Sequence, residues 1–177
     1  MKDRKRIQDA HEKAVITEFI VWLNGQTGKQ YVLGERPDPP DAILHSGDET
    51  TWVEHADIYR SADEAHEDRS FAIGDEPPFV HRENPICEPD TRIAKCLIQV
   101  LEKKLQKSSY RKIYEEKGAG ILLLTLRDPL FDDWTIAAIE KALDGYRAED
   151  DHGFFEFVVL GIWTNGGMRF AKIYPPE

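Results

Sequence analysis

The sequence predicts an α/β domain, a mixed central sheet flanked by helices, and three observations predict it. Apolar residues recur at helical spacing from His11 to Leu23 and again from Thr91 to about Tyr114. Ile121-Leu-Leu-Leu-Thr-Leu126 is a continuous apolar run, the pattern of a strand buried on both faces. Two pairs of strand-like segments flank Gly47-Asp48 and Asn165-Gly166-Gly167, residue types that accept the backbone angles of tight turns.

Taken in order, the first helix presents Val15, Ile16, Phe19, Trp22 and Leu23 on one face before Asn24-Gly25 ends it. Gln30 to Leu33 reads as a short strand. Glu35 to Pro40 is an extended connector, because its prolines exclude helix. Asp41 to His45 and Thr50 to Tyr59 are strands joined by a hairpin. Residues 60–90 follow as a long acidic surface loop, poor in apolar residues and interrupted by prolines. After the long helix from Thr91, the glycines of Gly118-Ala-Gly120 lead into the buried strand. A helix spans Asp132 to Leu143, and Phe154 to Trp163 with Met168 to Tyr174 close the chain as a strand pair. Mixed strands between helices bury these faces most simply as one sheet with helices packed on it.

The 177 residues fit a single domain, 1–177, and their 41% apolar content with four tryptophans predicts a packed core. No run reaches the roughly 20 apolar residues of a membrane helix, and the basic start Lys2 to Arg6 is not followed by an apolar signal core. The expectation is a cytoplasmic protein with no membrane partner. Cys87 and Cys96 are too few for a disulfide framework and lack zinc-site spacing. The net charge of −10, from 33 acidic against 23 basic residues, opposes long-range attraction to a polyanion. That argues against a general nucleic-acid coat, but not against an enzyme that gathers carboxylates around a cation.

With Gly47-Asp48 as the hairpin loop, the register sets Ile43 opposite Trp52 and Asp41 opposite Glu54. Directly opposed like charges destabilise a sheet. Either the strands end at Pro40 and both carboxylates sit in water at the sheet edge, or a divalent cation bridging the two compensates, since Mg²⁺ is commonly held by one or two carboxylates with water and substrate phosphate.

Pro40-Asp41, twelve intervening residues, then Glu54-His55-Ala56, set after a helix and strand and before a long helix and strand, resemble the PD-(D/E)xK nuclease superfamily. The likeness covers roughly residues 10 to 126. It implies a restriction-endonuclease-like fold, with a core of helix, three strands, helix and strand. It also implies Mg (or Mn) as cofactor, nucleic acid as partner, and Asp41 and Glu54 as catalytic metal ligands joined by the backbone carbonyl of His55. The side chain of His55 alternates to the other face from Glu54 and is expected at the surface. The third motif position departs from the family: it is Ala56, not lysine.

Two charged residues lie near apolar helix faces. Glu12 falls roughly 20° from the apolar centre of the first helix; it either complements the helix dipole or, as the resemblance implies, assists at the metal, whereas Glu18 lies well off that face. Lys104 falls about 35° from the apolar centre of the long helix. In degenerate members of the superfamily the lysine can migrate to this helix, so Lys104 is a catalytic candidate in place of Ala56; alternatively it buries its stem and extends its ammonium to solvent. Two functions are therefore carried forward. One is a Mg-dependent phosphodiesterase acting on nucleic acid. The other is an inactive interaction module, keeping the fold and binding a protein partner.

Overall fold

The computed structural model describes residues 2–59, 88–126, 133–146, 153–164 and 166–174. Most of the expected 60–90 loop, the start of the Asp132 helix and Asn165 lie outside these. The chain is α/β, with a mixed six-stranded sheet in the sequential order β1 to β6.

Helix α1 (Lys2–Thr27) is followed by β1 (Val32–Leu33), β2 (Ala42–Ser46) and β3 (Glu49–Ile58), which pair antiparallel as a meander. The hairpin has the expected register, Ile43 opposite Trp52, and its two-residue loop places Gly47 at φ 60°, a conformation glycine adopts without a Cβ penalty. Helix α2 (Pro89–Leu105), a 3₁₀ turn at Ser108–Tyr110 and α3 (Arg111–Lys117) carry the chain across to β4 (Gly120–Leu126). This β4 lies parallel to β3 and is buried along its whole length, as its apolar run requires. Helix α4 (Asp133–Tyr146) precedes β5 (Phe155–Thr164), parallel to β4, and β6 (Gly167–Tyr174) closes the sheet antiparallel.

The two faces of the sheet build two cores. On one, Val15, Ile16, Phe19 and Leu23 of α1 pack on Ala42, Leu44, Val53, Ile121, Leu123 and Val159. On the other, Ile93, Leu97 and Leu101 of α2 and Ile139 and Leu143 of α4 pack on Ile43, Trp52, Leu122, Leu124 and Leu160. Burial of these side chains, each stabilising by about 1.5–3 kcal/mol before chain entropy is subtracted, holds the helices to the sheet.

Two expectations need correction. The helix expected from Thr91 to Tyr114 is not continuous: it stops at Leu105, Lys107 turns extended at ψ 105°, and the chain restarts through the 3₁₀ turn. The break lets Tyr110, fully buried, drop into the core against Trp52 and Phe155 with ring centroids 5.7 and 5.3 Å away, whereas a straight helix would run past the sheet. Secondly, the imidazole of His55 is not at the surface. It is 3% exposed beneath α1, because β3 is an interior strand covered on both faces. Among the described residues, no helix is long and apolar enough to cross a membrane.

Candidate functional site

Glu54 and Asp41 meet where the β2–β3 hairpin opens under α2. Strand alternation puts Glu54 on the same face as Trp52, and the hairpin register continued one step beyond Ala42 and Val53 sets Asp41 opposite it. Asp41 Oδ2 accepts the backbone N–H of His55 at 2.7 Å. Burial, then the charges of Glu54 and Glu12, push the Asp41 carboxyl up to about 6, and the His55 N–H offsets only part of that. The opposed carboxylates are therefore electrostatically costly, as the hairpin register implied.

Glu54 is only 4% exposed, and its two oxygens are treated very differently. Oε1 accepts the Lys104 ammonium at 2.6 Å and the Tyr110 hydroxyl at 2.7 Å, with Lys107 Nζ at 3.8 Å. Oε2 is buried and has no hydrogen-bond partner among the described residues. Leaving a buried carboxylate oxygen bare costs about 1–3 kcal/mol.

Lys104 reaches this point from the last turn of α2, its Nζ also 3.5 Å from the carbonyl of His55. Its side chain is 20% exposed, so the ammonium lies over the carboxylate and not out in solvent. Ala56, where the strand lysine was absent, packs half-buried against the α2 core. Lys103 is exposed.

Glu12 lies at the margin of this group. Its Oε2 is held by Arg36 Nη2 at 2.9 Å and its Oε1 by Gln8 at 2.9 Å. Arg36 also donates to the carbonyls of Asp41 at 3.2 Å and Asp9 at 3.0 Å, tying the proline-rich connector to α1. Glu18 is exposed. Sequence reasoning missed Tyr110, Lys107 and Arg36. The run Lys103 to Lys112 carries five basic residues and was the one available signal for the first two; the lone arginine among prolines gave a weaker one for Arg36.

A second polar cluster occupies the α1 face of β3. The Thr125 hydroxyl donates to Asp57 Oδ1 at 2.5 Å, so His55 Nε2, 2.7 Å from the same hydroxyl, is the donor to it. His11 Nε2 stands 3.4 Å from Asp57. Burial alone would raise the Asp57 carboxyl, but hydrogen bonds from His11, His55 and Thr125 outweigh it and hold the group well below the usual carboxylate range. The cluster pins α1 to the sheet and fixes the His55 peptide, whose N–H and C=O face Asp41 and Lys104.

Among the described residues, no three His, Cys, Asp or Glu side chains are grouped to hold a metal ion. The oxygen donors available between the hairpin and α2 are two carboxylates and one backbone carbonyl, a set that suits a hard cation completing its shell with water. A groove of about 590 Å³ between α2 and α4, lined by Ala94, Lys95, Ile98, Ala138 and Lys141 among others, includes none of Glu12, Asp41, Glu54 or Lys104. Comparison of the chain with family models, with curated proteins and with solved structures found no match.

Proposed function

We propose that the protein is a Mg²⁺- or Mn²⁺-dependent phosphodiesterase of restriction-endonuclease-like fold that acts on nucleic acid. The observation that carries this reading is the Lys104 ammonium set 2.6 Å from Glu54, with Asp41 beside it. On this reading Lys104 of α2 supplies the charge that Ala56 does not. The order helix, three strands, helix, strand, with β3 and β4 parallel, supports the same reading.

Asp41, Glu54 and the His55 carbonyl would hold the ion. The bare Glu54 Oε2 and the raised Asp41 carboxyl fit it, because a divalent cation would relieve both the missing partner and the mutual repulsion. When bound there, the ion supplies charge to the attacked phosphate and lowers the pKa of water. Lys104, held by Glu54, keeps further N–H donors for a non-bridging phosphate oxygen or the attacking water, the electrostatic role the motif lysine is expected to fill. The Arg36 bridge, anchored by Glu12, fixes the Asp41 backbone. Glu12 thus acts through Arg36 and not on the ion.

The test is metal-dependent cleavage of a panel of DNA and RNA substrates at low salt, by the wild type and by Asp41→Asn, Glu54→Gln and Lys104→Met. Activity in the wild type alone, with all variants folded, is the expected result. The absence of both cleavage and any heat of Mn²⁺ binding would favour the interaction module, which Ala56 and the net negative charge suit.

A further inference from the structure

The asymmetry of Glu54 bears on which ion the site accepts. Its Oε1 accepts two donors from two different segments, Lys104 at the end of α2 and Tyr110 in the 3₁₀ turn, while Oε2 is buried and has no hydrogen-bond partner among the described residues. Asp41 is similarly divided: Oδ2 takes the His55 N–H, which leaves Oδ1. Each carboxylate therefore has one oxygen committed to the protein.

Resting on the reading of Asp41 and Glu54 as ion ligands, we propose that Tyr110 is a positioning residue that makes Glu54 a one-oxygen ligand and so biases the site against Ca²⁺. Mg²⁺ demands near-octahedral geometry at short distances and takes one oxygen from each carboxylate, with water for the rest; Mn²⁺ suits the same octahedral oxygen site. Ca²⁺ takes six to eight oxygens and gains most from bidentate carboxylates. A glutamate whose Oε1 is engaged by a hydroxyl and an ammonium cannot turn both oxygens to one ion without giving up a hydrogen bond.

The Tyr110 ring is built to hold that hydroxyl in place. It is fully buried, packed on Trp52 and edge-on to Phe155 and Phe154. Lys107 lies over it, with the ammonium 5.0 Å from the ring centroid. These contacts belong to the ring alone, so Tyr110→Phe removes the hydroxyl and leaves the packing.

Two measurements on metal-titrated protein test this. The first is Mn²⁺ and Ca²⁺ affinity by calorimetry for the wild type and Tyr110→Phe, with circular dichroism verifying the fold. Losing a hydrogen bond to a charged oxygen should raise the Ca²⁺ to Mn²⁺ affinity ratio about tenfold. The second is the infrared carboxylate band of Glu54, isolated by subtracting the spectrum of Glu54→Gln, which distinguishes one-oxygen from two-oxygen ligation in the Mn²⁺-loaded wild type. One-oxygen ligation in the wild type and a shifted affinity ratio in Tyr110→Phe are the expected results. Mn²⁺ binding with an unchanged ratio overturns the role of Tyr110 and leaves the ion site standing. A two-oxygen band in the wild type overturns it even where Tyr110→Phe fails to fold. No Mn²⁺ binding by the wild type overturns the ion site and this inference together.

Discussion

Asp41→Asn should stabilise the metal-free protein at neutral pH and, on the proposed reading, eliminate ion binding. The Asp41 carboxyl is raised from 3.8 to about 6, by burial first and by the Glu54 charge second. A folded-state pKa above the unfolded one means that the folded protein holds the extra proton between those values. The stability this confers is complete below about pH 4 and is lost as pH rises through about 6. A shift of about two units corresponds to roughly 3 kcal/mol, which partial solvent access at Asp41 reduces to about 2 kcal/mol. The asparagine carbonyl can still accept the His55 N–H, so the substitution removes charge and little else. Urea denaturation with chelator present should therefore show Asp41→Asn about 2 kcal/mol more stable than the wild type at pH 8, or roughly 4–8 °C higher in Tm for a chain of this length. The two proteins should converge near pH 4. A variant equally or less stable at pH 8 would refute the claim that the carboxylates repel each other, and with it the electrostatic case for a cation.

Further substitutions probe the surroundings. Lys104→Met removes the charged partner of a nearly buried carboxylate and should cost about 2 kcal/mol in urea denaturation, less than a fully buried pair because Tyr110 and Lys107 remain, while abolishing any cleavage. Gly120→Ala places a Cβ inside the Trp52 indole, whose Nε1–H is fixed on the Gly118 carbonyl at 2.9 Å; about 1–3 kcal/mol of overpacking should appear as a lower denaturation midpoint. Asp57→Asn should cost about 1–3 kcal/mol at pH 7. Because Asp57 is depressed when folded, that contribution is complete above the ordinary carboxylate range and shrinks progressively as pH falls below it toward the folded pKa, so a wild-type advantage as large at pH 2 as at pH 7 would contradict the assignment.

Much of the fold was legible because its signals are local. Turn chemistry at Gly47-Asp48 set the hairpin register, and that register alone brought Asp41 and Glu54 together. The run Ile121 to Leu126 declared a strand covered on both sides. The apolar stripe of α2 carried Lys104 toward the sheet. Helix ends were less readable: α1 begins at Lys2, nine residues before the first strongly periodic position, because its polar first turns carry no apolar signal.

The sequence by itself determined an α/β chain, the facing carboxylates and a lysine on the right helix face, because periodicity and turn residues act over a few neighbours along the chain. Only the tertiary structure decided which donors reach those carboxylates. Tyr110 meets Glu54 from 56 positions away because the helix breaks after Leu105, and Arg36 ties Glu12 to the Asp41 backbone across 24 positions. His55 is buried for the same kind of reason: alternation assigned its face, but only the packing of α1 on that face excluded water, and Thr125, 70 positions away, supplied the hydrogen bond that makes its burial tolerable. Contacts at such separations are fixed by how sheet and helices fill space together, which no local pattern encodes.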